Sequence, residues 1–229
     1  MEDTMIRPAS HLATNNRVFD CIVKDYAPGK CILDIGAGRG YMAQRIGNFI
    51  SEKGEKPEEM LSACDLFPEF FEYSAIPCEK LHFLTSLPYQ DNSFDIVYSI
   101  EVIEHLRNPY DFIKEIYRVL RPGGKIIVTT PNILNLTSRI SFLTRGFFML
   151  FPPVSYDEKK AGSLAGHIMP LSYYYLDYGM RKEGFTRILY YHDRFKKSAM
   201  LLYGLLFPII TLSSLYHKAK IKRLSLIHI

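Results

Sequence analysis

The stretch Ile32-Leu33-Asp34-Ile35-Gly36-Ala37-Gly38-Arg39-Gly40 decides the fold, because an apolar run stops on glycines set at alternate positions. Ile32, Leu33 and Ile35 read as a buried parallel strand. The glycines let the backbone turn sharply and approach a ligand with no Cβ in the way. A helix predicted over about residues 39–50 follows, and its first N–H groups face whatever sits in the turn. The spacing Asp-x-Gly-x-Gly-x-Gly is not the Gly-x-Gly-x-x-Gly of dinucleotide sites, so a pyrophosphate is not the expected guest.

The flanking sequence repeats the strand-helix alternation. Residues 10–26 place Leu12, Val18, Phe19, Ile22 and Val23 at helical spacing, and Pro28-Gly29 stops them. Residues 52–59 form a charged loop, and a second strand over residues 60–64 ends on Asp65. A carboxylate there is placed to bind a ribose diol or to cap a helix starting near Pro68. A third strand is predicted over residues 81–84, a fourth over 94–99 and a fifth over 125–130. Between the last two lies an amphipathic helix, residues 109–120, with Phe112, Ile113, Ile116, Val119 and Leu120 on its apolar side. Arg121-Pro122-Gly123-Gly124 ends that helix. Another helix over residues 171–183 leads through Gly184-Phe185 to a sixth strand ending at Tyr191, and a seventh strand is not readable. This order calls for an α/β fold: a doubly wound, mostly parallel, Rossmann-like sheet with helices on both faces.

The 229 residues suffice for one such domain with an insertion or a tail. With 28 basic and 24 acidic residues, the net charge of +4 is too mild to argue for nucleic acid. The four cysteines, Cys21, Cys31, Cys64 and Cys78, lack paired metal spacing and read as reduced thiols of a cytosolic protein. Glu2 and Asp3 stand where a secretory signal would need basic and apolar residues.

Four phrases carry a family resemblance: Phe94-Asp95-Ile96-Val97, Glu101-Val102-Ile103-Glu104-His105-Leu106, Arg118-Val119-Leu120-Arg121-Pro122-Gly123-Gly124 and Thr129-Thr130-Pro131-Asn132. With the glycine turn and Asp65, they make residues 10–192 resemble the class I S-adenosylmethionine (SAM) methyltransferases. The similarity is to the branch holding ubiquinone-biosynthesis O-methyltransferases and relatives in cell-surface glycan pathways. The resemblance implies that the glycine turn lies under the methionine part of SAM and that Asp34 helps to hold that end. It places the donor against Asp34, Gly36, Ala37, Gly38, Gly40, Asp65, Leu66, Ser86, Leu87 and Ile100. Many such proteins carry an acid before the Leu87-Pro88 pair for the adenine amino group. Here Phe83, Leu84, Thr85 and Ser86 precede it, which leaves adenine to backbone groups and the Ser86 hydroxyl.

Glu101, Glu104 and His105 stand at i, i+3 and i+4, so a helix beginning at residue 101 would put all three on one face. Two carboxylates and an imidazole, with His167 as a fourth ligand, suit a divalent ion such as Mg²⁺, Mn²⁺ or Zn²⁺. The pattern resembles the metal site of small-RNA terminal 2′-O-methyltransferases. Three readings stand: a metal on Glu101, Glu104, His105 and His167; metal-free acid/base catalysis by His105 or His167 beside Glu104; and structural roles only. The first two imply O-methylation of a small-molecule or lipid-linked hydroxyl acceptor, lipid-linked, quinone-like or glycan in kind. A terminal RNA 2′-O-methyltransferase and a catalytically inactive SAM-fold interaction protein are the alternatives.

Residues 133–168 read as an insertion over the site, with an apolar helix through Phe142 and Leu143 and a Phe147-Phe148-Met149-Leu150-Phe151 run. They form a lid on an apolar acceptor, a membrane contact, or a helix packed on the sheet edge. Residues 1–192 are thus the expected catalytic domain and 193–229 an apolar C-terminal segment. Residues 198–216 carry no charge, over a length near the roughly 18 residues needed to span a bilayer. Pro208, Gly204 and basic residues at both ends favour an interfacial or one-leaflet segment on the cytosolic face of the membrane over a span. Residues 224–229 resemble translated sequencing-adapter text, so the native terminus is expected to be missing.

Overall fold

A computed structural model describes residues 5–82, 86–153, 166–193 and 197–220. Strand β1 (Ile32–Ile35) is buried at all four positions, as its unbroken hydrophobic character with one acid demands of a strand covered on both faces. It pairs in parallel with β2 (Leu61–Asp65) and with β4 (Phe94–Ile100). Strand β3 (Cys78–Lys80) adds to β2, and β5 (Leu120–Thr129) to β4. The order is β3-β2-β1-β4-β5. It reverses between β1 and β4, and in such sheets the crevice at the carboxyl ends of those two strands receives the ligand.

The period of two along β1 sorts its side chains between two cores. Ile32 joins Val18 and Ile22 of α1 (Leu12–Asp25) and Ile46 and Ile50 of α2 (Tyr41–Glu52). Leu33 and Ile35 join Phe112, Ile113, Ile116 and Val119 of α4 (Pro109–Val119) on the opposite face. Helix α4 starts where Asn108 Oδ1 accepts from Tyr110 N at 3.2 Å, with Pro109 at the first helical position. Helix α6 (Tyr173–Glu183) packs on α4 at Gly179, where an added Cβ would lie 2.5 Å from the Tyr110 ring.

Several boundaries differ from the sequence reading. The third strand is residues 78–80, and Leu81 and His82 of the expected 81–84 lie beyond it. Leu81 is buried, but it belongs to the loop beyond the strand, its N–H donating to Asp65 O at 2.8 Å; residues 83–85 lie outside the described residues. The charged loop contains a short helix, α3 (Pro57–Met60), begun by its proline. Helix α2 starts at Tyr41 because Gly40 is left-handed, φ 89°. The expected sixth strand is absent: residues 185–190 form no ladder. Side chains hold them instead, with Phe185 edge-on to Tyr117 at 5.1 Å and the Tyr190 hydroxyl donating to Asp177 at 2.8 Å. The sheet therefore has five strands among the described residues.

The stretch 133–168, read from the sequence as an insertion over the site, supplies α5 (Leu136–Arg145); residues 154–165 lie outside the described residues. Helix α7 (Lys197–Lys220) runs through Pro208 and packs on α5. Among the described residues, no helix is long and apolar enough to cross a membrane. Residues 224–229 are also outside the description.

Candidate active site

At the carboxyl end of β1 the turn closes on β2 through its own N–H groups. Gly36 and Ala37 N–H donate to Cys64 O at 2.9 and 3.2 Å, and Gly38 N–H donates to Asp65 Oδ2 at 2.8 Å. Asp65 Oδ1 meanwhile accepts from Phe67 N at 2.8 Å, so this carboxylate braces the turn and its own loop together. The three glycines differ in what they permit. A Cβ at Gly36 would collide with Val102, and one at Gly40 would lie 2.8 Å from the Phe71 ring, whereas one at Gly38 would meet nothing within 4 Å. The open side of the turn is therefore at Gly38. Leu66 and Ile100, both half-buried, stand at the carboxyl ends of β2 and β4.

Asp34 points into the α1 and α2 face, in register with Tyr98. It is buried, and neither its Oδ2 nor the Tyr98 hydroxyl has a hydrogen-bond partner. Burial pushes the Asp34 carboxyl up to about 7; the Tyr98 hydroxyl pulls it down and the Asp65 charge adds to the rise. The folded protein thus keeps a proton that the unfolded chain loses near the ordinary carboxylate pKa. That contribution to stability is complete at low pH and is lost as pH rises towards 7. Replacing Asp34 by Asn is expected to remove this fall, on the order of a few kcal/mol. Urea unfolding midpoints of both proteins at acidic and neutral pH measure it, and parallel pH dependence in the two would contradict the assignment.

The phrase beginning at Glu101 does not continue as an α-helix. Glu101 is left-handed, φ 54°, and a 3₁₀ turn, Ile103–His105, follows. Thr129 of β5 takes Glu101 instead: the Glu101 N–H donates to Thr129 Oγ1 at 3.0 Å, and that hydroxyl donates to Glu101 Oε1 at 2.9 Å. The group that comes together is Glu104, His105 and His167, whose ligand atoms lie within 4.8 Å of one another. The loop carrying His167 is strapped on by backbone, since Ile168 and Met169 N–H donate to Glu104 O at 3.0 and 2.9 Å. The two imidazoles meet edge-on at 4.8 Å, and Phe151 of the lid lies 5.2 Å from His167.

Glu104 is completely buried, and neither of its side-chain oxygens has a hydrogen-bond partner. Its nearest basic atom, His167 Nε2, is 4.0 Å away. Burial, helped by the Glu101 charge, pushes the Glu104 carboxyl up to about 8. Burial and the neighbouring His105 hold His167 below the ordinary imidazole range. Such a group of unsatisfied atoms is costly in a folded interior and is a common sign of a ligand or reaction site.

Two positions singled out for adenine have other engagements. Ser86 is exposed, and the Leu87 N–H donates to Glu115 Oε2 at 2.9 Å. Arg118 of α4 clamps the same loop, donating to Leu87 O at 3.1 Å and Tyr89 O at 2.8 Å while pairing with Glu115 and Asp91. The sequence reading assigns Glu115, Arg118, Thr129 and Tyr98 no role at the site, although Arg118 and Thr129 stand in the family phrases. Their spacing marks them only as helix-surface and strand residues, and their role exists only across elements.

Residues 33–128 match the family described as a methyltransferase domain. A tRNA U34 carboxymethyltransferase of Hahella chejuensis is 32% identical over 111 residues, covering 44% of this chain and 32% of that protein. A malonyl-[acyl-carrier protein] O-methyltransferase of the same organism is 33% identical over 105 residues, covering 43% and 36%. The chain spans about a third of the length of these curated relatives. The crystal structure of an S-adenosylmethionine dependent methyltransferase from Mesorhizobium loti shares the fold, with a TM-score of 0.51 and 15% identity over 73% of this chain and 80% of that one. Residues 33–128 thus match a methyltransferase-domain family, and they lie on a parallel 3-2-1-4-5 sheet with its glycine turn at the switch point.

Proposed function

We propose that this protein moves the methyl group of SAM onto the oxygen of a hydroxyl carried by a lipid-linked, quinone-like or glycan acceptor, with Glu104, His105 and His167 preparing that oxygen. One observation carries the reading: a completely buried carboxylate with two unpartnered oxygens faces two imidazoles, two residues beyond the Val102 that packs on Gly36. The open side of Gly38 and the unpartnered Asp34 Oδ2 fit a donor with a compact, cationic end. When bound, SAM supplies a methyl carbon on a sulfonium, whose S–C bond breaks as the O–C bond forms, leaving a neutral thioether.

An alcohol oxygen is a poor nucleophile until its proton leaves, and this cluster can receive that proton. Burial favours a neutral His167, whose lone pair accepts a proton as a general base within hydrogen-bond reach. Glu104, its carboxyl pushed up to about 8, offers a negative charge to the imidazolium beside it as it ionises. The lid residue Phe151, packed on His167, narrows the access of water to the cluster. A carboxylate with two imidazoles also fits a divalent ion of the Zn²⁺ or Mn²⁺ kind, which Glu104, His105 and His167 would hold and which would lower the pKa of a hydroxyl. An amine acceptor, already nucleophilic once neutral, has no need of such a group.

A second reading takes an RNA 2′-hydroxyl as acceptor; a tRNA U34 carboxymethyltransferase is among the relatives, while the mild net charge of +4 argues against it. Calorimetry with SAM and its demethylated product, followed by transfer from methyl-labelled SAM to pooled quinols, lipid-linked sugars and RNA, tests both. The expected result is binding heat and label on a hydroxyl of the first two pools. Label on RNA with steeply salt-dependent binding would favour the second reading. Binding without transfer to any pool would leave a SAM-fold interaction protein, and no heat at all would overturn the donor assignment.

A further inference from the structure

Helix α7 carries an apolar surface on more sides than its packing covers. Leu206 and Ile210, four residues apart, are half-buried, and α7 packs on α5. Leu205, Ile209 and Leu212, at i, i+4 and i+7, form a separate stripe that is 69%, 64% and 69% exposed. On α5, Leu143 is 84% exposed and Phe142 is half exposed, so the neighbouring helix adds to the same kind of surface. A helix that is apolar nearly all round is stable only when something covers it.

The charges around these helices select the cover. Residues 194–229 contain seven Lys and Arg and no Asp or Glu, and residues 131–153 contain Arg139 and Arg145 and again no acid. A second copy laid along α7, parallel or antiparallel, would bring cationic ends together with no carboxylate of these segments to pair them. A surface of anionic headgroups over acyl chains satisfies both features at once: the stripe enters the apolar layer and the basic ends meet the headgroups. We propose that α5 and α7 together dock this protein on an anionic phospholipid bilayer, lying in the interface and not crossing it. Phe151, six residues beyond α5, lies 5.2 Å from the His167 ring, which links the docked helices to the reaction cluster. The docking proposal rests on the apolar stripe and the charge pattern and does not depend on the nature of the methyl acceptor.

Flotation of the full chain with phosphatidylcholine vesicles, with and without phosphatidylglycerol, tests it. Binding is expected to be at least about tenfold tighter on the anionic vesicles and to weaken as salt rises. Joint replacement of Leu205→Glu and Leu212→Glu, both on exposed positions, should lower vesicle binding by at least about tenfold while the heat of SAM binding stays as in the parent protein. Equal partition to both vesicle types, or undiminished binding by the double variant, would overturn the proposal. So would light scattering that finds a stable dimer of the parent chain and a monomer of the same variant, since the stripe would then be a contact between copies. Because SAM binding is read separately, a failure of docking is distinct from a failure of the donor assignment.

Discussion

Replacing Glu104 by Gln should lower methyl transfer to a hydroxyl acceptor by about 10²- to 10⁴-fold, the usual range for loss of a positioned acid/base or a metal ligand, with SAM affinity unchanged. The substitution keeps the volume of a completely buried side chain, so packing survives. It removes the group that can stabilise a positive charge on His167 or bind a cation. His167→Ala should produce a loss of similar size, and the double variant should be little worse than either single one, because residues that act as a unit do not contribute additively. Single-turnover rates with labelled SAM measure this. Chelation adds the second arm: if an ion sits on the cluster, EDTA abolishes transfer in the parent protein and Zn²⁺ or Mn²⁺ restores it. If His167 acts alone, EDTA has no effect and the rate instead follows an imidazole titration. Transfer that survives both substitutions would reduce the cluster to a structural feature.

Gly36 and Gly38 of the turn should fail in different ways when substituted. At Gly36 the backbone is left-handed, φ 76°, and a Cβ would collide with Val102, whose position sets the phrase that ends in Glu104 and His105. Gly36→Ala should therefore cost stability, about 1–3 kcal/mol from the backbone conformation with overpacking added. Its loss of SAM binding should accompany a lower unfolding midpoint. Gly38→Asn adds side-chain atoms where nothing lies within 4 Å, at φ 54°, a left-handed conformation that asparagine tolerates. The fold should persist with a modest loss, while the donor is excluded from the space those atoms take. The expected result is a SAM affinity reduced by at least about 10²-fold, consistent with the cost of even small misplacement in a positioned site. Equal effects of the two substitutions on stability and on binding would contradict the placement of the donor over Gly38.

Much of this site is legible in the order of the residues alone. Ile32 to Gly40 announces a strand, a turn and a helix because buried parallel strands need continuous apolar residues and sharp turns need glycine, and both demands are local. The alternation of such segments also gives the doubly wound sheet, since crossovers between parallel strands have few geometric solutions. Weak local signals mislead at residues 81–82 and 184–191. Leu81 is apolar because it fills a core from a loop, and the later tyrosines pack through side chains without a ladder.

The sequence by itself determined the element order, the glycine turn, and the presence of Glu104, His105 and His167 as chemistry-bearing residues. Only the tertiary structure decided that Glu101 turns away to Thr129 while His167, on a loop bonded to the Glu104 backbone, completes the group. The reason is physical. A left-handed residue at the end of β4 breaks the helical phase that spacing assumes, and the approach of a residue 63 positions beyond Glu104 depends on backbone hydrogen bonds formed only when the chain has packed.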